Sequence, residues 1–193
     1  MPTKRFRGLE EERQQQLLVA AAAEFSAHGY QAASFNRIIE RAGVSKGAMY
    51  YYFEDKADLY ATVVRDAVAR LVEVSTPVGE ATDPASFWLE IREMVRATLE
   101  QYRIDPYLAG LVRSLTRDGL PVAPVEEIRA MSSVWFTQMM QLGQSLGAVR
   151  HDLPVDLMLA IAIGASEGFD VWLADRIGEL TDEALDELAE TVT

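Results

Sequence analysis

The chain has 193 residues, 49% of them hydrophobic, and no cysteine, so it can bury a substantial core but cannot form a disulfide, a thiol nucleophile or a thiolate metal site. Its formal net charge is −12, yet residues 1–60 carry eight Lys/Arg against eight Asp/Glu, which leaves the whole acidic excess on residues 61–193. That part should repel nucleic acid, while the neutral N-terminal third need not. The N-terminus is basic and runs into charged residues, which predicts no signal peptide, no membrane span and a cytoplasmic protein.

Residues 1–8 read as a short basic arm, whose Arg5 and Arg7 suit either a phosphate backbone or minor groove, or a frayed terminus. From Leu9 to Ala27 the apolar positions Leu17, Leu18, Ala21, Ala22 and Phe25 recur at helical spacing, with His28-Gly29 as the stop and His28 as a C-terminal cap. Ser34 then caps a second helix whose apolar side is Ile38, Ile39 and Ala42. Gly43 supplies a left-handed end, Val44 plugs the corner, and Ser45 caps a third helix running to about Tyr52. Ser45, Lys46, Gly47, Tyr50, Tyr51 and Tyr52 place hydroxyls, a cation and bare backbone on one short segment. A helix serving only a core would not carry three consecutive tyrosines, whereas one lying in a DNA major groove can use them. The predicted unit is a helix-turn-helix, with Met49 and Phe53 packed inward.

The stretch Ala20 to Leu59, with Ala-Gly-Val-Ser-Lys-Gly-Ala-Met-Tyr-Tyr-Tyr-Phe-Glu-Asp-Lys at 42–56 and with Phe25, Gly29 and Tyr30, resembles the DNA-binding head of TetR-family transcriptional regulators. By that resemblance Ser34, Asn36 and Arg37 touch the DNA backbone, and Ser45, Lys46, Gly47, Tyr50 and Tyr51 face the groove. Tyr52 and Lys56 meet phosphates, and Ala48, where the family often has Thr or Ser, keeps at most a thymine-methyl contact. Ala33 and Ile39 also depart from the family's usual residues, so packing inside the motif is expected to differ.

Asp55 and Asp58 form the start signal of the next helix, with Leu59, Val63, Ala67 and Leu71 as its buried stripe. Thr76-Pro-Val-Gly is punctuation. Asp83-Pro84 starts a helix to about Arg103, and Asp105-Pro106 repeats the signal for a shorter one carrying Leu108, Leu111, Val112 and Leu115. Residues 118–124 form a loop, then Ile128, Met131, Trp135, Met139, Leu142 and Leu146 mark an amphipathic helix. A second loop holds His151. Residues 154–173 are apolar nearly all round and rich in Ala and Gly, which predicts burial on two sides, the second in a homodimer. The final pattern, Thr181, Leu185, Leu188 and Val192, stops in mid-stride, as though the chain continued.

The expected fold is all-α with about nine helices: a three-helix head at 1–55 and an effector and dimerisation domain at 56–193, with 56–75 as connecting helix. The resemblance implies a small-molecule pocket in the second domain. Trp88, Met94, Tyr107, Met131, Trp135 and Met139 make a Met- and aromatic-rich set for a largely apolar effector, with Glu167 as the polar member; the same residues would equally build an ordinary core. Two copies pairing through 154–173 and the last helix would form a four-helix bundle. The implied function is a ligand-responsive regulator, a repressor leaving a palindromic double-stranded DNA operator when the effector binds. The alternatives are an effector-free DNA-binding dimer and a helical enzyme. The sequence has no metal or cofactor motif, and for catalysis it offers only a loop pair, His151-Asp152, so no enzyme is expected.

Overall fold

In the computed structural model, residues 2–74, 79–117 and 122–191 are described; the side chains at 116, 117, 122–125, 127–129 and 131 are not. Among these residues there are ten α-helices, one 3₁₀ turn and no strand. The helices are α1 (Lys4–Arg7), α2 (Glu11–Ala32), α3 (Phe35–Ala42), α4 (Lys46–Tyr52), α5 (Lys56–Val74), α6 (Pro84–Ile104), α7 (Leu108–Arg117), α8 (Val122–Ser145), α9 (Val155–Arg176) and α10 (Asp182–Thr191). The arm expected at the N-terminus is therefore a helical turn. The predicted stop at Gly29 is a kink, with φ of 69°, after which α2 resumes for one turn. The expected punctuation at 75–78 and most of the loop from 118 lie outside the described residues, while Val122, Ala123 and Pro124, expected in that loop, begin α8. A proline fits a helix's first turn because the N–H it lacks would have no partner there.

The chain divides into two compact units: residues 1–69 with 107–125, and residues 70–106 with 126–193. The functional boundary expected at residue 55 thus falls inside the first unit. That unit packs α2 against α3 and α7 around Leu17, Phe25, Ile38, Leu59, Tyr60 and Leu111, all nearly inaccessible. The Tyr60 ring stands edge-on to Phe25 at 4.8 Å and to Tyr30 at 5.1 Å. Ser114 of α7 joins this cluster, its hydroxyl 3.2 Å from Tyr60 Oη and accepting from Tyr30 N–H at 3.2 Å. Helix α7 sits so close to α2 that a Cβ on Gly110 would lie 2.7 Å from the Ser26 carbonyl oxygen. Only glycine permits that approach.

In the second unit Asp83 caps α6 through the N–H groups of Ala85 and Ser86, and Ser86 completes a capping box. Asp105, expected to start α7, ends α6 instead, and its carboxylate pairs with Arg70 at 2.8 Å. The core comprises Phe87, Leu99, Tyr102, Met139, Leu173 and Leu185, with α6 lying along α10. Helix α9 is the exception to burial: Val155, Leu157, Ile161 and Trp172 are 37–57% exposed, while Met158, Leu173 and Ala174 are covered. Contrary to the expectation that no such segment exists, Val155–Glu179 is long and apolar enough by composition to cross a membrane. Glu167 and Asp170 sit within it, which suits a helix packed in protein.

Candidate nucleic-acid interface

The turn between α3 and α4 is built from local chemistry. Ser34 Oγ accepts from Arg37 N–H at 3.4 Å, and Ser45 Oγ accepts from Ala48 N–H at 3.1 Å. Gly43 takes φ of 60° and ψ of 36°, and the N–H groups of Gly43 and Val44 reach back to Glu40 and Ile39 at 3.1 and 3.3 Å. Such a left-handed close costs a glycine little and an L-residue about 1 kcal/mol or more. From another helix Arg13 donates to the Gly43 carbonyl at 3.0 Å, a brace that the sequence reading missed.

This geometry sorts α4 cleanly. Met49 and Phe53 are fully buried, while Ser45, Lys46, Gly47, Tyr50 and Tyr51 are exposed and Ala48 and Tyr52 are half-buried. The exposed set forms one continuous surface of hydroxyls, cation and bare backbone, with the Tyr50 ring set edge-on to Phe35 at 5.3 Å. Ser34, Asn36 and Arg37 lie at the start of α3, with Asn36 and Arg37 exposed.

Two expected DNA contacts have other partners. Arg37 is bound to Glu24, a carboxylate only 2% exposed on α2, through Nε at 2.8 Å and Nη2 at 2.6 Å. Glu24 also accepts the Ser34 N–H at 2.8 Å, so it pins the start of α3. Burial works against its charge, but the bonds from Arg37 and Ser34 outweigh this and hold the carboxyl below its usual range. His28, expected as a helix cap, stands 3.8 Å from the same carboxylate. Lys56, expected on a phosphate, directs its ammonium to the carbonyls of Tyr30, Gln31 and Ala33 at 2.8, 3.1 and 3.2 Å, and over the Tyr30 ring. Three acceptors and an aromatic face make it a brace at the end of α2.

The expected effector residues are divided between the two units. Tyr107 belongs to the first unit, carried there by the packing of α7 on α2, and lines a groove with Val19, Ala23 and Arg41. In the second unit Trp88 and Glu167 are exposed, Met94 and Trp135 are half-buried, Met139 is buried, and the Met131 side chain lies outside the description. The polar group with an unusual environment is Asp170, which the sequence reading passed over. Its carboxylate accepts from Tyr102 Oη at 3.1 Å; burial, helped by the charge of Glu167 and opposed by that hydrogen bond, pushes it up to about 6. The loop pair weighed for catalysis is not formed. Asp152 is held by Arg150 through two bonds of 2.6 Å, and His151 Nε2 lies 3.1 Å from the Gln144 carbonyl. No group of three or more metal-ligating side chains occurs among the described residues.

The sequence model for bacterial regulatory proteins of the tetR family matches residues 17–63, which span most of α2, the α3–α4 motif and the start of α5. Those residues are similar to the N-terminal region of that family. Among characterised relatives, the transcriptional repressor AcnR of Corynebacterium diphtheriae is 26% identical over 193 residues, covering 90% of this chain and 91% of that protein. A TetR-family regulator from Chloroflexus aurantiacus is 27% identical and superposes with a TM-score of 0.70, covering 100% and 94% of the two chains. Bacillus subtilis FadR, solved with stearoyl-CoA, shares the fold at 18% identity, with a TM-score of 0.77 over 92% and 94%. These relatives are named as regulators of transcription.

Proposed function

We propose that this protein is a TetR-family transcriptional repressor that works as a cytoplasmic homodimer, with no enzymatic activity, on a palindromic DNA operator that it leaves when a largely apolar small molecule binds. Residues 1–55 serve as the DNA-reading head, and residues 56–193 sense the effector and dimerise. The observation that carries the reading is the outward row Ser45, Lys46, Gly47, Tyr50 and Tyr51 on a helix whose other side, Met49 and Phe53, is buried. Hydroxyls, ammonium and exposed amides bind phosphate oxygens, and a helix of this width enters the major groove. Ser34 and Asn36 flank the row, and Tyr52 lies at its end.

Pairing of the heads is supported by α9, whose exposed Leu157, Ile161 and Trp172 share an apolar face that a second copy can cover. A twofold dimer would address half-sites about 34 Å apart. The stearoyl-CoA held by FadR belongs to that protein, but it supports an apolar effector as the first class to try here. Coupling of about 1–3 kcal/mol between effector and DNA suffices to change affinity 5- to 150-fold.

The test is selection of sites from random duplex DNA at two salt concentrations. A recovered palindrome with steep salt dependence, lost in Lys46→Ala and Tyr50→Ala, supports the reading. Unimpaired binding by both variants removes α4 from the interface. Ile161→Asp should convert the dimer to monomer in light scattering, and an unchanged mass would move the interface off α9. Stearoyl-CoA and palmitic acid, added to the bound palindrome, probe release.

A further inference from the structure

We propose that the turn at residues 3–7 is part of the DNA-contacting surface: it fastens the C-terminal end of α4, and Arg5 is a positioning residue that fixes Tyr51 and sets its own cation beside that ring. The proposal rests on the DNA-binding reading of α4 given above. A basic terminal segment ordinarily frays, because nothing offsets the entropy of ordering it. Here it is tied down. Thr3 N–H donates to the Tyr52 carbonyl and the Thr3 hydroxyl donates to the Tyr51 carbonyl, both at 3.1 Å. These are two of the carbonyls that a helix leaves without partners at its C-terminal end. The same hydroxyl accepts from Phe6 N–H at 3.4 Å and so caps α1. Phe6 is 3% exposed, its ring 4.8 Å from Phe53 and 6.4 Å from Tyr52.

This anchor determines where Arg5 goes. Its guanidinium carbon lies 3.5 Å from the Tyr51 ring centroid, and both side chains stay exposed. A stacked guanidinium limits the rotation of the tyrosine and keeps its N–H edge directed outward, in the plane where a phosphate can be met by two donors. Helix α4 has only seven residues, too few to be stable alone, so a tie at its end governs how well its tyrosines are placed. The neighbouring cation is used differently: Arg7 donates to the Pro2 carbonyl at 3.1 Å, within the segment. Arg7 therefore serves as an internal control of equal charge in the same turn.

The experiment measures affinity of the full chain for a duplex selected by the wild type, by fluorescence anisotropy across a salt series. Arg5→Ala should weaken binding about tenfold and lower the slope of log K against log salt by about one, with an unchanged melting temperature. Arg5→Lys should recover the slope but not the full affinity, since it restores charge without a planar stack. Arg7→Ala should stay within about twofold of wild type. Equal losses for Arg5→Ala and Arg7→Ala would mean a diffuse basic arm, and wild-type binding by Arg5→Ala would mean no contact; either overturns the proposal. Lys46→Ala separates the two levels of inference. If it binds normally, the reading of α4 has failed and the proposal falls with it; if it loses binding while Arg5→Ala does not, only the proposal has failed.

Discussion

Replacing Glu24 by Gln keeps the shape of the side chain and removes its charge. In the wild type the buried Oε1 accepts Ser34 N–H and Arg37 Nε, each at 2.8 Å. A hydrogen bond to a charged group contributes about 1.5–3 kcal/mol, against about 1 kcal/mol for a neutral one. Arg37 is half-exposed and water screens its share, so the bond to the Ser34 amide dominates the loss. The expected destabilisation is about 2 kcal/mol, a fall in melting temperature of about 4–8 °C. The pH dependence has a definite sign. The carboxyl titrates below its ordinary 4.5 in the folded state, so its contribution is complete above that value and is lost as pH falls through the lowered one. The gap between wild type and variant should be widest at pH 7 and close in strong acid. All three tryptophans lie in the second unit, so their fluorescence is a poor reporter for this site. Amide exchange at Ser34, with thermal unfolding by circular dichroism, reads it directly. Unchanged protection of Ser34, or a stability gap as large in strong acid as at pH 7, would refute the assignment of Glu24 as the pin of α3.

Asp170→Asn tests the second unit. With its folded value raised from 3.8 to about 6, ionised Asp170 costs stability that grows as pH rises through this range. Asn keeps an acceptor for Tyr102, so the variant should be more stable at pH 7 by up to about 3 kcal/mol and level with wild type near pH 4; urea unfolding followed by tryptophan fluorescence checks it, and an equal gain at both pH values would exclude the carboxylate as cause. Lys56→Met should destabilise the head by about 1–3 kcal/mol, as three carbonyls lose a charged donor, and leave the salt slope of DNA binding unchanged. A slope lower by one would return Lys56 to a phosphate.

Whatever depended on neighbours a few residues apart was legible in the sequence. Ser34, Ser45 and Asp83 cap helices because each accepts N–H groups two or three residues ahead, and Gly43 closes α3 because it can take a positive φ. The inward Met49 and Phe53 and the outward Lys46, Tyr50 and Tyr51 follow from helical periodicity within one short segment. The all-α fold and the helix-turn-helix therefore came from local chemistry alone. The tertiary structure decided which distant groups meet. It set Glu24 beneath Ser34 and Arg37, drew the Lys56 ammonium to the carbonyls at the end of α2, and seated α7 on α2 through Gly110 and Ser26. It also folded residues 3–7 onto α4, where the sequence alone offered a phosphate-tracking arm or a frayed end. A carboxylate or an ammonium accepts many partners, and the sequence pattern of its own helix is the same whichever it takes. The choice is made by burial: once the packing of α2, α3 and α7 removes water from these charges, only the partners within reach can satisfy them.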